Sequence, residues 1–562
     1  MNNIDNKIIN QISTYLQRVV PFGFNGVFLL AKNDQILFHQ GFGYRNIAKQ
    51  LPMSLKTSLG IGSISKQFTS ALIMKLSEKG LLQTGDRLVN YFRNFSEDKQ
   101  NITIHQLLTH TSGLPSDIDG VDDFTPILTD DFLKKVNSLE LRSSPGTVFR
   151  YSNIGYSILA ILISKLVGKS FQKYLLDDIL APLDIHQVGW FGDPKWTIEN
   201  SSSYYNEGKC TGSPYEWDGS WQQDYWGILG NGGLILMAED LYKWMLHLFS
   251  NKFLNSNSMN TMLTPELNDY GYGWDVTEDE LGKVIMHDGG STLGINALAK
   301  YYPKEDIYYI LLGNTRFDRR GVVFHLDPVI KSIFMNKYVQ LPPKVEYHSC
   351  FDYSIAQQNY RFNIDSDNFG QIITNNENAI VISLNGQQII NNLFFSSPDS
   401  ILQIDQIKHY NERVINFGKY CLNQDWQAAF LLMKNPLNYE HRVDILEHLL
   451  QSFTSQNGEI VNLSTTTIPS KDYFATTYLG LISTKKTQFI AFVWEKPGIL
   501  LGFRPGLTDW ITSFICYNTV DNKIIGYNIA TQFQFEALIS DNILLMNSLK
   551  IPLEIEDNNK FS

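Results

Sequence analysis

Cysteine is scarce: the 562 residues hold four, Cys210, Cys350, Cys421 and Cys516, far apart and without a C-x-x-C pair. That spacing writes neither a zinc site nor a disulfide framework, and it favours a reducing compartment. Long apolar runs are missing too. The most apolar internal stretch, residues 156–164, falls well short of the roughly 20 residues that a bilayer-crossing helix needs, so no membrane span is expected. The first 20 residues lack the uninterrupted apolar core of a signal peptide. They carry Ile8, Ile12, Tyr15 or Leu16, and Val19 on one stripe of an amphipathic helix instead. A cytoplasmic protein is the expectation. Positive charge is in deficit, with 46 Lys and Arg against 57 Asp and Glu for a net charge of -11. No basic stripe offsets this, which argues against nucleic acid and anionic membranes as partners.

Several cofactor and metal signatures are also absent. Gly60-x-Gly62 lacks the third glycine of a dinucleotide fingerprint, and no G-x-S-x-G elbow occurs to support an α/β-hydrolase. The acidic cluster Asp117, Asp119, Asp122 and Asp123 lacks the ligand spacing and closing glutamate of an EF-hand loop, so it fits a solvated loop. Neither a cofactor nor a metal is expected.

What remains is an ordered globular chain, 43% hydrophobic and 18% charged, long enough for roughly two to four domains. Leu341-Pro342-Pro343 marks the clearest boundary, because consecutive prolines stop helices and remove ladder donors. Before it, strand-like runs at 26–31 and 34–40 alternate with helical patterns at 66–79 and 152–167, the latter capped by Ser152 or Asn153. Beyond it, runs at 379–384 and 387–390 flank the hairpin signal Asn385-Gly386. Residues 412–455 then pattern as two helices broken near Asn435-Pro436, and aromatic and β-branched runs dominate from Tyr473. The expected plan is a catalytic domain over 1–340, a β-rich hairpin or linker region over 341–408, and an α+β module over 409–562.

Ser63-Ile64-Ser65-Lys66 sets a serine and a lysine three residues apart, which on a helix puts both on one face. The spacing is common by chance, and Ser170 to Lys173 and Ser483 to Lys486 repeat it. The first copy differs in its setting: Gly60 and Gly62 precede it, and small residues let the backbone approach a substrate where a helix begins. A helix N-terminus also favours a developing oxyanion. Loops around 120–129 and the aromatic stretch 204–226 are expected to line the cleft.

This stretch resembles the serine β-lactamase and penicillin-binding protein family, whose nucleophile lies in S-x-x-K at the head of a buried helix. The resemblance extends over roughly residues 10–335. It includes Leu107-Leu108-Thr109-His110-Thr111-Ser112-Gly113-Leu114, Ser144-Pro145-Gly146, Gly230-Asn231-Gly232-Gly233-Leu234 and Ala238-Glu239-Asp240-Leu241. Tyr151-Ser152-Asn153 is similar to the Tyr-x-Asn motif of the class C, D-aminopeptidase and esterase branch, and His287-Asp288-Gly289 to the third motif. The resemblance implies an α+β fold, an antiparallel sheet flanked by helices with a mostly helical subdomain, followed here by β-rich α+β C-terminal modules.

It also implies roles. Ser63 attacks a carbonyl, Lys66 takes its proton, Tyr151 relays protons and Asn153 bonds Lys66 or the substrate. The backbone amides of Ser63 and Gly290 form the oxyanion hole, with Gly289 and Trp226 against the substrate. His287 stands where β-lactamases and transpeptidases of the family commonly have lysine, and a mostly neutral imidazole is a poor holder of a substrate carboxylate. Esterase, amidase or D-amino-acid peptidase (carboxypeptidase-like) activity through an acyl-enzyme is therefore expected above β-lactam hydrolysis. An acyltransferase, or a non-catalytic scaffold of the same fold, is the alternative. Taken alone, Tyr151 also fits a cap or core tyrosine and His287 a satisfied structural histidine, and His110 is assigned that structural place. A small-molecule or peptide substrate is expected, with a homo-oligomer possible.

Overall fold

The computed structural model describes residues 6–344, apart from 207–208 and 317–320, and discontinuous elements between 360 and 555. The chain divides into two compact units, one of Met1–Val20, Phe24–Asp327 and Ile333–Lys337, the other of Pro21–Gly23, Pro328–Ser332 and Tyr338–Ser562.

The first unit is built on a six-stranded antiparallel sheet. Its strands are β1 (Gly26–Lys32), β2 (Gln35–Phe42), β3 (Asp275–Asp279), β4 (Gly282–Gly290), β5 (Asn296–Tyr302) and β6 (Ile307–Gly313), in the order β3-β4-β5-β6-β1-β2. The chain thus enters at one side of the sheet and returns some 230 residues later to complete it. Strands β1 and β6 are buried along almost their whole length, which is why both read as continuous apolar runs rather than alternating ones. Helix α1 (Asn6–Val19) buries Ile8, Ile12, Tyr15, Leu16 and Val19, the stripe expected from the sequence.

Between β2 and β3 the chain forms the helices that carry the site. Helix α2 (Lys66–Glu78) follows a 3₁₀ turn, Gly62–Ser65, and is buried on nearly every side, in keeping with its mix of apolar and small polar residues. Helix α3 (Asn153–Val167) packs beside it. Ser152 is its cap: the hydroxyl accepts from the Gly155 amide at 3.3 Å, and Gly168 closes the far end in the left-handed conformation. Helix α4 (Ala238–Phe249) lies on β1 and β6 and adds Trp244 to the core, stacked on Phe68 of α2 with ring centroids 4.5 Å apart.

The second unit is β-rich, and its described elements include the helix Ile404–Leu422. Strands Ile460–Pro469, Ala475–Ser483, Thr487–Lys496 and Ile499–Leu507 form an antiparallel meander, and a separate sheet has nine strands. Ala379–Asn385 pairs in that larger sheet with Ser513–Asn518, and Tyr360–Asn363 pairs with Glu554–Ile555. The split expected at residue 408 is therefore corrected. Strands on both sides of it share one sheet, a long-range pairing that local composition does not encode. The hairpin turn after Asn385, the break near Asn435-Pro436 and the lysine of Ser483 to Lys486 lie outside the described residues.

Candidate active site

Ser63 sits in the 3₁₀ turn and is the one residue between 57 and 74 that is not buried. Everything around it packs, and Ser63 alone keeps partial exposure. The turn is held close to strand β4. Gly62 has φ +52, and a Cβ there would stand 2.7 Å from the Gly290 amide nitrogen, while a Cβ on Gly289 would overlap the Ile61 carbonyl oxygen. Glycine at both positions lets two backbones touch, so the amides of Ser63 and Gly290 come to adjoining places at the mouth of the site. Gly289 itself is buried against Ile61 rather than presented to a ligand.

Lys66 begins α2 and is fully buried. Its Nζ lies 3.0 Å from Ser63 Oγ, 2.8 Å from Asn153 Oδ1 and 2.8 Å from the Asn231 carbonyl oxygen, and 4.7 Å above the Tyr151 ring. Burial strips water from the ammonium and lowers its pKa to about 7, although Asp117, Asp288 and Asp123 pull the other way. The Tyr151 hydroxyl bonds Ser63, and burial raises its pKa well above the usual phenol value, so it stands as a neutral phenol. Asn153 is oriented from behind: its Nδ2 donates to Asp117 Oδ1 at 2.8 Å while Oδ1 accepts from Lys66. Ser63, Lys66, Tyr151 and Asn153 are thus brought together, the first two as their spacing anticipates and the other two as the family resemblance implies.

His287 is placed differently from the expectation. It is buried on β4, with Asp288 on the opposite, exposed face. Both ring nitrogens are engaged, Nδ1 donating to the Asp288 carbonyl at 2.7 Å and Nε2 accepting from the Tyr270 hydroxyl at 3.0 Å. Desolvation, with Lys66 nearby, lowers its pKa to about 3. It is a neutral wall of the site, with neither nitrogen directed at Ser63, so a direct place among the reacting groups is not what the geometry gives. Trp226 is also a wall: it is buried, and its Nε1 donates to Thr129 Oγ1 at 3.1 Å. It borders a cleft of about 290 Å³ together with Asp117, Asn153 and Gly290.

Three contributors were not assigned by sequence reasoning. The Asn231 carbonyl fixes Lys66, Asp117 orients Asn153, and Tyr270 fixes His287. His110, taken as structural, accepts the Ser152 amide at Nδ1 (3.0 Å), and its ring centroid lies 4.2 Å from that of Tyr151. Among the decoys, Ser170 caps a short helix by accepting the Lys173 backbone amide, so its lysine side chain plays no part.

A central antiparallel sheet against which a buried helix presents a serine, with a lysine one turn on, defines a class: the penicillin-binding-protein-like serine hydrolases. Residues 23–325, more than half of the chain, match the Beta-lactamase family model, and the chain belongs to that family. It is 30% identical over 305 residues to the Bacillus subtilis protein PbpX, named for penicillin binding, covering 54% of this chain and 73% of that one. To the Staphylococcus aureus protein Flp it is 28% identical over 307 residues, spanning 51% of this chain and 58% of that protein's length. Two solved structures share the fold. The octameric penicillin-binding protein homologue from Pyrococcus abyssi is 18% identical with a TM-score of 0.52 over 97% of this chain and 100% of that one. D-amino acid amidase from Ochrobactrum anthropi is 19% identical with a TM-score of 0.51, covering 59% and 99%.

Proposed function

We propose that the chain hydrolyses an ester or amide through an acyl-Ser63 intermediate, with Lys66 as the base. The observation that carries this is the coordination of Lys66. A neutral amine has two N–H bonds and one lone pair; the N–H bonds go to Asn153 Oδ1 and the Asn231 carbonyl, which leaves the lone pair facing the Ser63 hydroxyl at 3.0 Å. With its pKa lowered to about 7, an appreciable fraction of Lys66 is in that form at neutral pH. Ser63 Oγ adds to the carbonyl as its proton passes to Lys66, and the amides of Ser63 and Gly290 take the oxyanion. Tyr151, a neutral phenol, hands a proton to the leaving group and is replenished from Lys66. Water then repeats the sequence on the acyl-enzyme.

The substrate preference follows from His287. Held neutral and tied at both nitrogens, it offers no fixed cation for the carboxylate of a β-lactam, and the amidase fold neighbour agrees with an amide-cleaving role. Assembly into a homo-oligomer belongs to the same proposal, supported by the octameric Pyrococcus homologue. A panel of p-nitrophenyl esters, D-amino acid amides and a chromogenic β-lactam tests the reading. Ester or amide turnover is expected, falling at least about 10³-fold in Ser63→Ala, with little β-lactam cleavage. Efficient β-lactam hydrolysis would contradict the assignment.

A further inference from the structure

His110 packs against Tyr151 in a backbone conformation that histidine rarely takes. Its φ is +57, in the left-handed region where glycine and asparagine sit more easily, and the residue is fully buried. It follows the short helix Ile104–Leu108, whose end glycine or asparagine would close with less strain. The imidazole adds a second cost. Nδ1 accepts the Ser152 amide at 3.0 Å, while burial, with Lys66 and His287 nearby, holds its pKa well below the ordinary histidine value. The ring is therefore neutral with its proton on Nε2, and that buried nitrogen has no hydrogen-bond partner among the described residues. A strained backbone and an unspent donor in one buried residue point to a side chain kept for what it does.

His110 grips Tyr151 at three places. Its carbonyl oxygen accepts the Arg150 amide at 2.7 Å and its Nδ1 accepts the Ser152 amide, so the backbone on both sides of Tyr151 is tied to one residue. Its ring packs against the tyrosine ring, with centroids 4.2 Å apart and planes inclined by 33°. Tyr270, whose hydroxyl bonds His287, closes on the imidazole at 4.7 Å and meets Tyr151 edge-on at 6.4 Å. Asparagine could supply the acceptor and phenylalanine the ring, whereas histidine supplies both. At the working end, the Tyr151 hydroxyl bonds Ser63 and Lys66 Nζ lies 4.7 Å from the ring centroid. The tilt of that ring decides where the phenol proton points, and a misplacement of about 1 Å can cost on the order of 100-fold in rate.

We propose that His110 is the positioning residue of Tyr151: without touching substrate, it holds the phenol at the angle from which its proton reaches the leaving group. This rests on the acyl-Ser63 reading, in which Tyr151 is the source of that proton. The consequence is selective. A p-nitrophenolate departs without being protonated, whereas an alkoxide needs the proton as its bond to the carbonyl carbon breaks. Loss of His110 therefore weighs most on the ester with the more basic leaving group.

The test compares the p-nitrophenyl and ethyl esters of one acid in the full-length protein, as wild type, His110→Asn, His110→Phe and Tyr151→Phe, with thermal melts reporting the fold. His110→Asn keeps an acceptor for the Ser152 amide and suits the positive φ, but removes the ring; His110→Phe keeps a ring and removes the acceptor. In His110→Asn, kcat/KM for the ethyl ester should fall at least about tenfold further than kcat/KM for the nitrophenyl ester. Tyr151→Phe should show the same bias, and so should His110→Phe if it folds; if it does not, His110→Asn decides. An equal loss on both esters in folded His110→Asn, or no loss on either, would overturn the positioning role and leave the hydrolase reading standing. No bias in Tyr151→Phe would overturn it too, because Tyr151 would not be the donor. A wild-type protein that cleaves neither ester and takes up no fluorophosphonate on Ser63 would instead overturn the acyl-Ser63 reading, and the positioning role with it.

Discussion

Deprotonating a lysine near neutrality takes a site that withholds water without offering enough anionic charge to compensate. Lys66 meets that condition: burial is the largest influence on it, and the opposing carboxylates of Asp117, Asp288 and Asp123 only partly offset the loss of solvent. In the proposed reaction the neutral amine is the working form, so kcat/KM should be low in acid, reach half its plateau near pH 7 and level off above it, in a pH profile with an ester substrate. Asp288→Asn removes one charge that favours the ammonium, so its acid limb should move to lower pH. A shift to higher pH would contradict Lys66 as the base. At this scale the side chains were legible in the sequence and their supports were not. The Ser63, Lys66, Tyr151 and Asn153 motifs are written in side-chain identity, whereas Asn231 acts through a carbonyl that any residue possesses. The Tyr270 bond to His287 depends on a tertiary approach that no spacing announces.

Among the elements, the site depends on a 3₁₀ turn pressed against a strand. The sequence marked the helix over 66–79 and the strand over 26–31 correctly, because apolar periodicity reports on burial. It did not mark Gly62–Ser65 as a separate turn, nor the short pairings of Leu59–Gly60 and Val188–Gly189 with Ile235–Leu236 that anchor it. Two-residue strands carry no periodic signal. Gly289→Ala probes the contact directly. The new methyl meets the Ile61 carbonyl oxygen, a backbone atom that cannot swing aside, so urea denaturation should register a loss of about 1–3 kcal/mol. Activity should fall as β4 is driven away from the turn. Unchanged stability would mean that the close approach of strand and turn is not part of the native packing.

Across the whole molecule, Ser63, Lys66, Tyr151 and Asn153 all lie in the first unit, and the second is β-rich, with no group of His, Cys, Asp and Glu that could hold a metal among the described residues. The fold class was legible because seven ordered motifs in one family arrangement specify a topology. The nine-stranded sheet was not, since its pairing joins residues more than 130 positions apart. We propose that the second unit shapes substrate access or assembly. Removing the residues after Leu341 should then alter the ester and amide preference or the mass measured by light scattering, and a truncated protein unchanged in both would count against it.

The central claim is that Ser63, activated by Lys66, is the acylated nucleophile. Incubation with a fluorophosphonate probe followed by peptide mass spectrometry tests it most directly. The account predicts one adduct, on Ser63, that forms faster as pH rises through about 7 and is absent in Ser63→Ala. A well-folded protein that takes up no probe at Ser63, or takes it up at another serine, would contradict it.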